Sequence, residues 1–482
     1  MRFLTYADAS AANIQHRLGT PDYSYYFAMK EFLPALRQLG DVQVIADVQT
    51  ADRHYDDCGP RREPCVLVSF CPPHRLFLPQ RCPVIPVFAW EYDRLPDEVW
   101  DGEPRHDWVA TLRRAGLAVV HSRHTAAAVR RQLGDSFPVA AIPCPVWDRF
   151  ESVRQRHPAQ PCVAPTRMTV DGPVLDTRTT TDEFLPAGAI AGYGPGWAGR
   201  VHAAARHLRA CRHDLTWDLL SPRWADRVDR ACGATAGWLR RRPQSSVARP
   251  VDLALDGVVY TSVFNPNDGR KNWVDMVLAF CEALAAKPDA TLVLKFTHRD
   301  PEFAFAVLND VLHRVRPFQC RVVALSAFLD DPHYERLVAA STYAVNSSHG
   351  EGQCLPLMEF MACGRPAIAP DHTAMGDYVD AHVAFVIESD LEPCTWPQDR
   401  RARFRAHRHR LNWMSLVRCF EASYHTARND PEGYRTMAEE GQRRQQTNCS
   451  LAAATARLRQ FLDAAAVLPG RAFNTSADAP SC

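Results

Sequence analysis

From Val258 onward the chain alternates short runs of β-branched residues with stretches of helical periodicity, and this alternation limits the possible folds more than any other feature. The runs VVYTSVF, TLVLKFT, RVVAL, YAVNSS, PAIA and AFVIE read as strands, and NWVDMVLAFCEALAAK, PEFAFAVLNDVLHRV, HYERLVAAS and PLMEFMAC as the helices between them. Strands joined through helices pair in parallel and are covered on both faces, which is why such runs are apolar almost throughout. The first 150 residues repeat the pattern more loosely, with MRFLTYA, VQVIAD, CVLVSF, VIPVFAW, LAVVHS and VAAIPCPV as strands and helices after Tyr23, around Trp108 and after His124. The expected fold class is α/β, with two doubly wound Rossmann-like domains, 1–150 and 257–466, facing each other across a cleft. Residues 151–256, rich in Pro, Thr, Gly and Arg, fit neither pattern and read as a central insertion, with helical pieces at RVHAAARHLRAC and RWADRVDRACGATAGWLRRR. After Glu388 the chain turns polar and basic and then helical, and 467–482 read as a frayed tail. Ligands bind doubly wound sheets outside the carboxyl ends of the strands, so the cleft is the expected site.

Composition removes several function classes. A formal net charge of +1 over 482 residues gives no global electrostatic basis for nucleic-acid binding. No segment approaches the roughly 18 to 20 apolar residues that span a bilayer, and MRFLTYADASAANIQHR lacks a basic head followed by a long apolar run. The expected location is the cytoplasm. The basic cluster RRARFRAHRHR, Arg400 to Arg410, leaves two readings open, a peripheral contact with anionic lipid at the inner membrane surface or a solvated face against the C-terminal helices; Arg240 to Arg242 leave the same choice. The 16 cysteines are scattered and form no C-x-x-C pair, so they read as buried, reduced thiols.

The stretch HGEGQCLPLMEFMACGRPAIA, starting at His349, carries the chemistry. Pro356 suits a first helical turn and Gly364 the left-handed position just past a helix end, so a short helix starts within a few residues of Glu351 and carries Glu359 on its second turn. Glu351 then lies in a strand-to-helix loop at the cleft with Glu359 behind it, and both carboxylates are expected to reach one ligand at different depths. Carboxylates accept hydrogen bonds well from paired hydroxyls, which sugars and ribose both offer. The free N–H groups at the helix start, with the loop through Gly350, Gly352, Gln353, Cys354 and Leu355, suit a phosphate anion. A helix end contributes only about 0.3 to 1 kcal/mol when exposed, so a fixed cation is wanted. FNPNDGRKNW supplies Arg270 and Lys271 in the first strand-to-helix loop of the same domain. An ion pair at ~4 Å is worth about 4 kcal/mol at an effective dielectric near 20, before desolvation is counted.

In register over NSSHGEGQCLPLMEFMACGRPAIAPDHTAMGDYV, the chain resembles the E-x7-E motif of the retaining GT-B glycosyltransferases of the group 1 (family 4) clan. FNPNDGRKNW, LVLKF and LSAFLDDPHYERLVAASTYAVNSS look similar to that clan's donor-binding domain, and VFAWEYDRLPDE and HSRHTAAAVRRQLG to its acceptor-side loops. The resemblance implies a GT-B fold and transfer of a hexosyl unit from a nucleotide-diphosphate sugar, with retention, to a saccharide or lipid-linked saccharide, in polysaccharide biosynthesis. It implies that Glu351 contacts the transferred sugar and its developing positive charge, Glu359 the ribose, and Lys271 the leaving diphosphate. Family members place a Gly-Arg pair about five residues before that lysine; here Asn265 and Pro266 stand there, and Arg270 is the arginine. Gly19 in RLGTPDYS matches the donor-side glycine loop as a single glycine, and Glu91 in AWEYDRLP is the first-domain candidate facing the acceptor. The sequence contains no D-x-D triplet, so no metal and no cofactor beyond the co-substrate is expected.

Two other classes remain beside this reading. A GT-B protein that binds a sugar nucleotide without turnover is compatible with the displaced arginine. A dinucleotide-dependent oxidoreductase is suggested by GPGWAG, Gly194 to Gly199, with Asp214 beyond it, although LPAGAIAGY makes a poor preceding strand. A GT-B epimerase or phosphorylase is a further variant of the same fold.

Overall fold

The computed structural model describes residues 1–179 and 250–465, apart from 12, 21–22, 60–62, 299–300, 398 and 400. The GPGWAG stretch, Asp214, Arg240 to Arg242, Arg400, the two helical pieces expected inside the insertion and the expected tail lie outside the described residues.

The first sheet has six parallel strands, β1 (Arg2–Ala7), β2 (Asp41–Val44), β3 (Cys65–Phe70), β4 (Val84–Phe88), β5 (Ala118–Val120) and β6 (Val139–Ala141), in the order β2-β1-β3-β4-β5-β6. Every residue of β3 and β4 is buried, as expected of strands covered on both faces. The helices after Tyr23, around Trp108 and after His124 are α1 (Tyr23–Arg37), α3 (Trp108–Ala115) and α4 (Arg123–Leu133), with α2 (Ala51–Cys58) between them. Asp107 and Ser122 cap α3 and α4 by accepting from Ala110 N and Thr125 N.

The second sheet runs β14-β13-β12-β9-β10-β11-β8, with β7 paired to β9 off this path. Its strands are β7 (Val163–Val170), β8 (Val174–Asp176), β9 (Val251–Phe264), β10 (Ala290–Phe296), β11 (Arg321–Ser326), β12 (Tyr343–Val345), β13 (Ala367–Ala369) and β14 (Ala384–Val386). All pair in parallel except β7 and β8, which are antiparallel to β9 and β11. The boundary drawn at 256/257 therefore cuts through β9, and the segment read as an insertion supplies α5 (Glu151–Arg156), β7, β8 and the first half of β9. Gly257, at φ +79, lets β9 pass from one pairing to the other; a Cβ there would strike the Asp289 carbonyl.

Helices α6 (Trp273–Ala283), α7 (Glu302–Arg314), α8 (Asp331–Ala339) and α9 (Leu355–Ala362) link the second sheet's strands, and α10 (Trp413–Asn429), α11 (Pro431–Cys449) and α12 (Leu451–Ala464) close the chain. The last helix crosses back: Leu458, Phe461 and Leu462 line an apolar contact with Phe3, Phe32 and Leu36 of the first domain. Thr455 Oγ1 donates to Gln38 Oε1 at 3.0 Å in the same contact. A second bridge is the ribbon β15 (Ser389–Thr395) and β16 (Arg405–Leu411), whose Trp396, Phe404 and Ala406 are buried with Trp90, Tyr92 and Trp108. The described part of the basic cluster thus lies on a strand ribbon that grips the first domain, not on a face against the C-terminal helices. Its alternation puts Phe404 and Ala406 inward and leaves Arg405 and His407 exposed. Two Rossmann-like domains held face to face in this way make a GT-B fold. Ten of the 13 described cysteines are buried, and no helix among the described residues is long and apolar enough to cross a membrane.

If α12 fastens the first domain, Phe461→Ala should destabilise the protein by about 3 kcal/mol, the usual cost of emptying a buried aromatic site. A lowered chemical-denaturation midpoint would register it, and an unchanged midpoint would contradict the packing role.

Candidate active site

The carboxyl edges of the two sheets meet at three loops. Gly19, after β1, is at φ +84, and a Cβ there would run into the His298 ring; its carbonyl accepts from Asn265 Nδ2 at 3.2 Å. Gly350 and Gly352, after β12, lie on residues 89–91 after β4. A Cβ on Gly352 would fall 2.7 Å from Ala89 Cβ and 2.8 Å from Trp90 N, so the glycine sets how closely the domains approach.

At this junction Glu351 is buried and saturated with donors. Its Oε1 accepts from Lys271 Nζ at 2.6 Å, Ser348 Oγ at 2.7 Å and Asn346 Nδ2 at 3.1 Å, and its Oε2 from Arg270 Nη1 at 3.1 Å. Burial alone would raise its pKa, but Lys271 and Arg270 outweigh it and hold the carboxyl at about 2. Arg270 is the hub. Besides Glu351, it reaches Asp268 at 2.9 Å, the Gly350 carbonyl at 2.7 Å and, across the cleft, Glu91 at 3.2 Å. Burial raises the Glu91 carboxyl against the pull of Arg270, and neighbouring Asp268 and Glu351 push it up further. The structure thus brings Glu351, Lys271, Arg270 and Glu91 into one cluster of three carboxylates and two cations, completed by Asp268.

Glu359 stands in a second cluster. Its Oε2 accepts from Tyr334 Oη at 2.6 Å and its Oε1 faces Arg149 Nη1 at 3.4 Å. Arg149 also pairs with Glu31 on α1 at 3.0 Å and with Asp331 on α8 at 2.9 Å. Burial raises both Glu359 and Glu31, the latter to about 7, because two buried carboxylates share one guanidinium. In this state the two motif glutamates face different partners, so the expected common ligand would have to replace Arg149 at Glu359.

The remaining predicted residues lie along the same loop. Pro356 is in the first turn of α9 and Gly364 at φ +75 just beyond its end. Cys354 precedes the helix at φ 65, with its Sγ 3.0 Å from Asn346 Nδ2, and Leu355 opens the helix. Gln353 turns its side chain the other way: its Oε1 accepts from Cys144 Sγ at 3.2 Å and its main-chain carbonyl from Tyr378 Oη at 2.8 Å. His349 Nδ1 lies 2.8 Å from the His409 carbonyl, and His372 stacks on His409 with ring centroids 4.0 Å apart. Asp268, Asn346 and Ser348 sit inside motifs already singled out. Tyr334 likewise lies inside LSAFLDDPHYERLVAASTYAVNSS, whereas Arg149 and Glu31 had no signal, because Arg149 meets Glu359 only through the way the domains dock.

No protein family and no curated protein matches the sequence. Among solved structures the chain is similar to a glycosyltransferase from Rickettsia africae, with 9% identity, TM-score 0.48 and coverage of 98% of this chain and 99% of that one. It is also similar to sucrose-phosphate synthase from Thermosynechococcus elongatus, with 12% identity, TM-score 0.47 and coverage of 96% and 98%. A third is HepE from Anabaena, solved with UDP and glucose, with 12% identity, TM-score 0.44 and coverage of 96% and 100%. At these values the likeness carries no argument about activity.

The second cluster has a pH signature. The unfolded chain releases the Glu31 proton near the ordinary 4.5 and the folded protein near 7, so stability present below the lower value is lost as pH rises toward the upper one, by up to about 3 kcal/mol. Glu31→Gln should flatten that decline, its thermal midpoint gaining on the parent's between about pH 5 and pH 7. Parallel curves over that interval would count against the shift.

Proposed function

We propose that this protein is a retaining, metal-independent glycosyltransferase that moves a hexosyl unit from a nucleotide-diphosphate sugar to a saccharide or lipid-linked saccharide. The observation that carries the reading is the Glu351 carboxylate, ionised and buried between Lys271 and Arg270 in the loop that opens α9, opposite Glu91 of the other domain. An anion and two cations preorganised in a closed, low-dielectric cleft suit a reaction that separates a positive sugar carbon from a negative diphosphate.

In this reading Lys271 and Arg270 turn from the carboxylates to the diphosphate, joined by the first-turn N–H groups of α9. Glu351, relieved of both cations and still held by Ser348 and Asn346, faces the sugar hydroxyls and the oxocarbenium-like centre. Glu359 exchanges Arg149 for the ribose hydroxyls while Tyr334 keeps its second oxygen in place. The departing phosphate takes the acceptor's proton, the new bond forms on the face the leaving group vacates, and configuration is retained. Glu91 borders the acceptor. The sequence's lack of a D-x-D triplet supports metal independence. Binding without turnover is the second reading, favoured by the commitment of Arg270 to Glu91 and Asp268 and by Asn265 and Pro266 where a Gly-Arg pair is usual.

A thermal-shift panel of UDP-, GDP-, ADP-, CMP- and dTDP-sugars, with NADH and without added metal, tests the donor. A ligand at a hundred times its dissociation constant stabilises the native state by about 2.7 kcal/mol, so one base should stand out. No shift with any sugar nucleotide, or a shift with NADH alone, would overturn the proposal, and a selective shift without hydrolysis or transfer would favour the binding protein. On the selected nucleotide, Glu359→Ala and Lys271→Ala should weaken nucleoside-diphosphate binding, by about tenfold or more. Glu351→Ala should lower turnover more than nucleotide affinity. Equal losses of affinity at Glu351 and Glu359 would undo the division of roles.

A further inference from the structure

A cavity of about 440 Å³ lies on the other side of the catalytic loop, lined by residues of both domains and of the C-terminal helices. None of Glu351, Lys271, Arg270, Glu91 and Glu359 lines it. His121, at the end of β5, and Arg123 come from the first domain, Gln353 and Asp377 from the second, and Arg457 from α12. This size is within the range of small-molecule sites, roughly 300 to 1,000 Å³.

Two buried polar atoms on the lining residues have no hydrogen-bond partner, His121 Nε2 and Gln353 Nε2. Each residue is more than nine-tenths buried, at 4% and 6% exposure. Their chemistry is complementary. His121 Nδ1 lies 3.3 Å from the Ile142 carbonyl and so carries the ring proton, and burial keeps the ring neutral with a pKa of about 4, leaving Nε2 as a bare acceptor. Gln353 Oε1 is taken by the Cys144 thiol, leaving its –NH₂ as a donor. Of the charged groups around them, Arg123 Nε pairs with Asp377 at 2.9 Å, and Arg457 Nη1 donates to the neutral Asn448 carbonyl at 2.7 Å.

An unmet acceptor and an unmet donor on the lining residues of one cavity are both satisfied by hydroxyl groups, which donate one hydrogen bond and accept two. An ionised carboxylate has no proton for the imidazole lone pair. We infer that this cavity is a second binding site, for a small neutral saccharide or polyol held between His121 and Gln353, whose occupant touches both domains and the crossing helix. The inference does not rest on the transfer reading.

The test is calorimetric titration of the full chain with glucose, N-acetylglucosamine and maltose, with inorganic phosphate as the anionic comparison, and amide hydrogen exchange with and without each sugar. The expected result is saturable binding of at least one sugar, with exchange slowed in 121–123, 353–358 and 448–457. His121→Phe, which keeps the ring and removes the acceptor, and Ala141→Phe, which fills the cavity, should each weaken that sugar about tenfold or more. Binding of none of the three, tighter binding of phosphate, slowing confined to other segments, or unchanged affinity in both variants would overturn the inference. If one variant fails to fold, the other and the exchange map of the unaltered protein decide. A sugar that is lost in Glu351→Ala without slowed exchange at 121–123 sits in the catalytic cleft and also overturns it.

Discussion

The structure depends on one guanidinium. Arg270 uses its planar fork to hold Glu91 of the first domain, Asp268 of its own loop, and Glu351 and the Gly350 carbonyl of the loop after β12. The backbone repeats the connection, since His349 N donates to the Arg270 carbonyl at 2.8 Å and Ser347 Oγ to that of Lys271 at 3.1 Å. Three carboxylates cannot stay together away from water without a cation among them, and a buried pair that loses one partner costs about 3 to 5 kcal/mol. The position of the two loops against each other, and against Glu91, is tied to where this side chain sits.

The two motif glutamates show how environment divides identical residues. Glu351 has two cations and two neutral donors within reach and is held down at about 2. Glu359, eight residues on, shares Arg149 with Glu31 and Asp331, and burial drives it upward. Both clusters cross the domain interface, one through Glu91 and Arg270, the other through Arg149 and its partners Glu359 and Asp331. The cleft is fastened by charges that a polar, anionic ligand can exchange, while apolar contacts from β16 and α12 hold its outside.

Much of the fold was legible because parallel strands covered on both faces leave apolar runs, as in 65–68 and 322–325. The site's second-domain half was legible because Arg270, Lys271 and Glu351 lie in loops whose punctuation, Pro356 and Gly364, marks the helix beside them. Edge elements were hidden. β7 buries only Met168 and Val170 fully, so its polar sequence resembled an insertion, and β16 buries only Ala406 and Leu411 among its arginines and histidines. Arg149 meets Glu359 across 210 residues of chain, and no local pattern reports a contact created by docking.

The loop from Glu351 to Gln353 joins what would otherwise be separate features. Glu351 turns its carboxylate toward the basic loop, Gln353 turns its amide toward Cys144 and the cavity, and Gly352 between them rests on Ala89 and Trp90 with no room for a side chain. A shift of residues 89–91 therefore reaches both sides at once: it changes the reach from Glu91 to Arg270 on one and, through Gly352, the setting of Gln353 on the other. Packed interiors respond to such shifts by changing arrangement rather than by stretching. The glycine, by fixing how near the domains come, is where the charge cluster and the cavity are mechanically one.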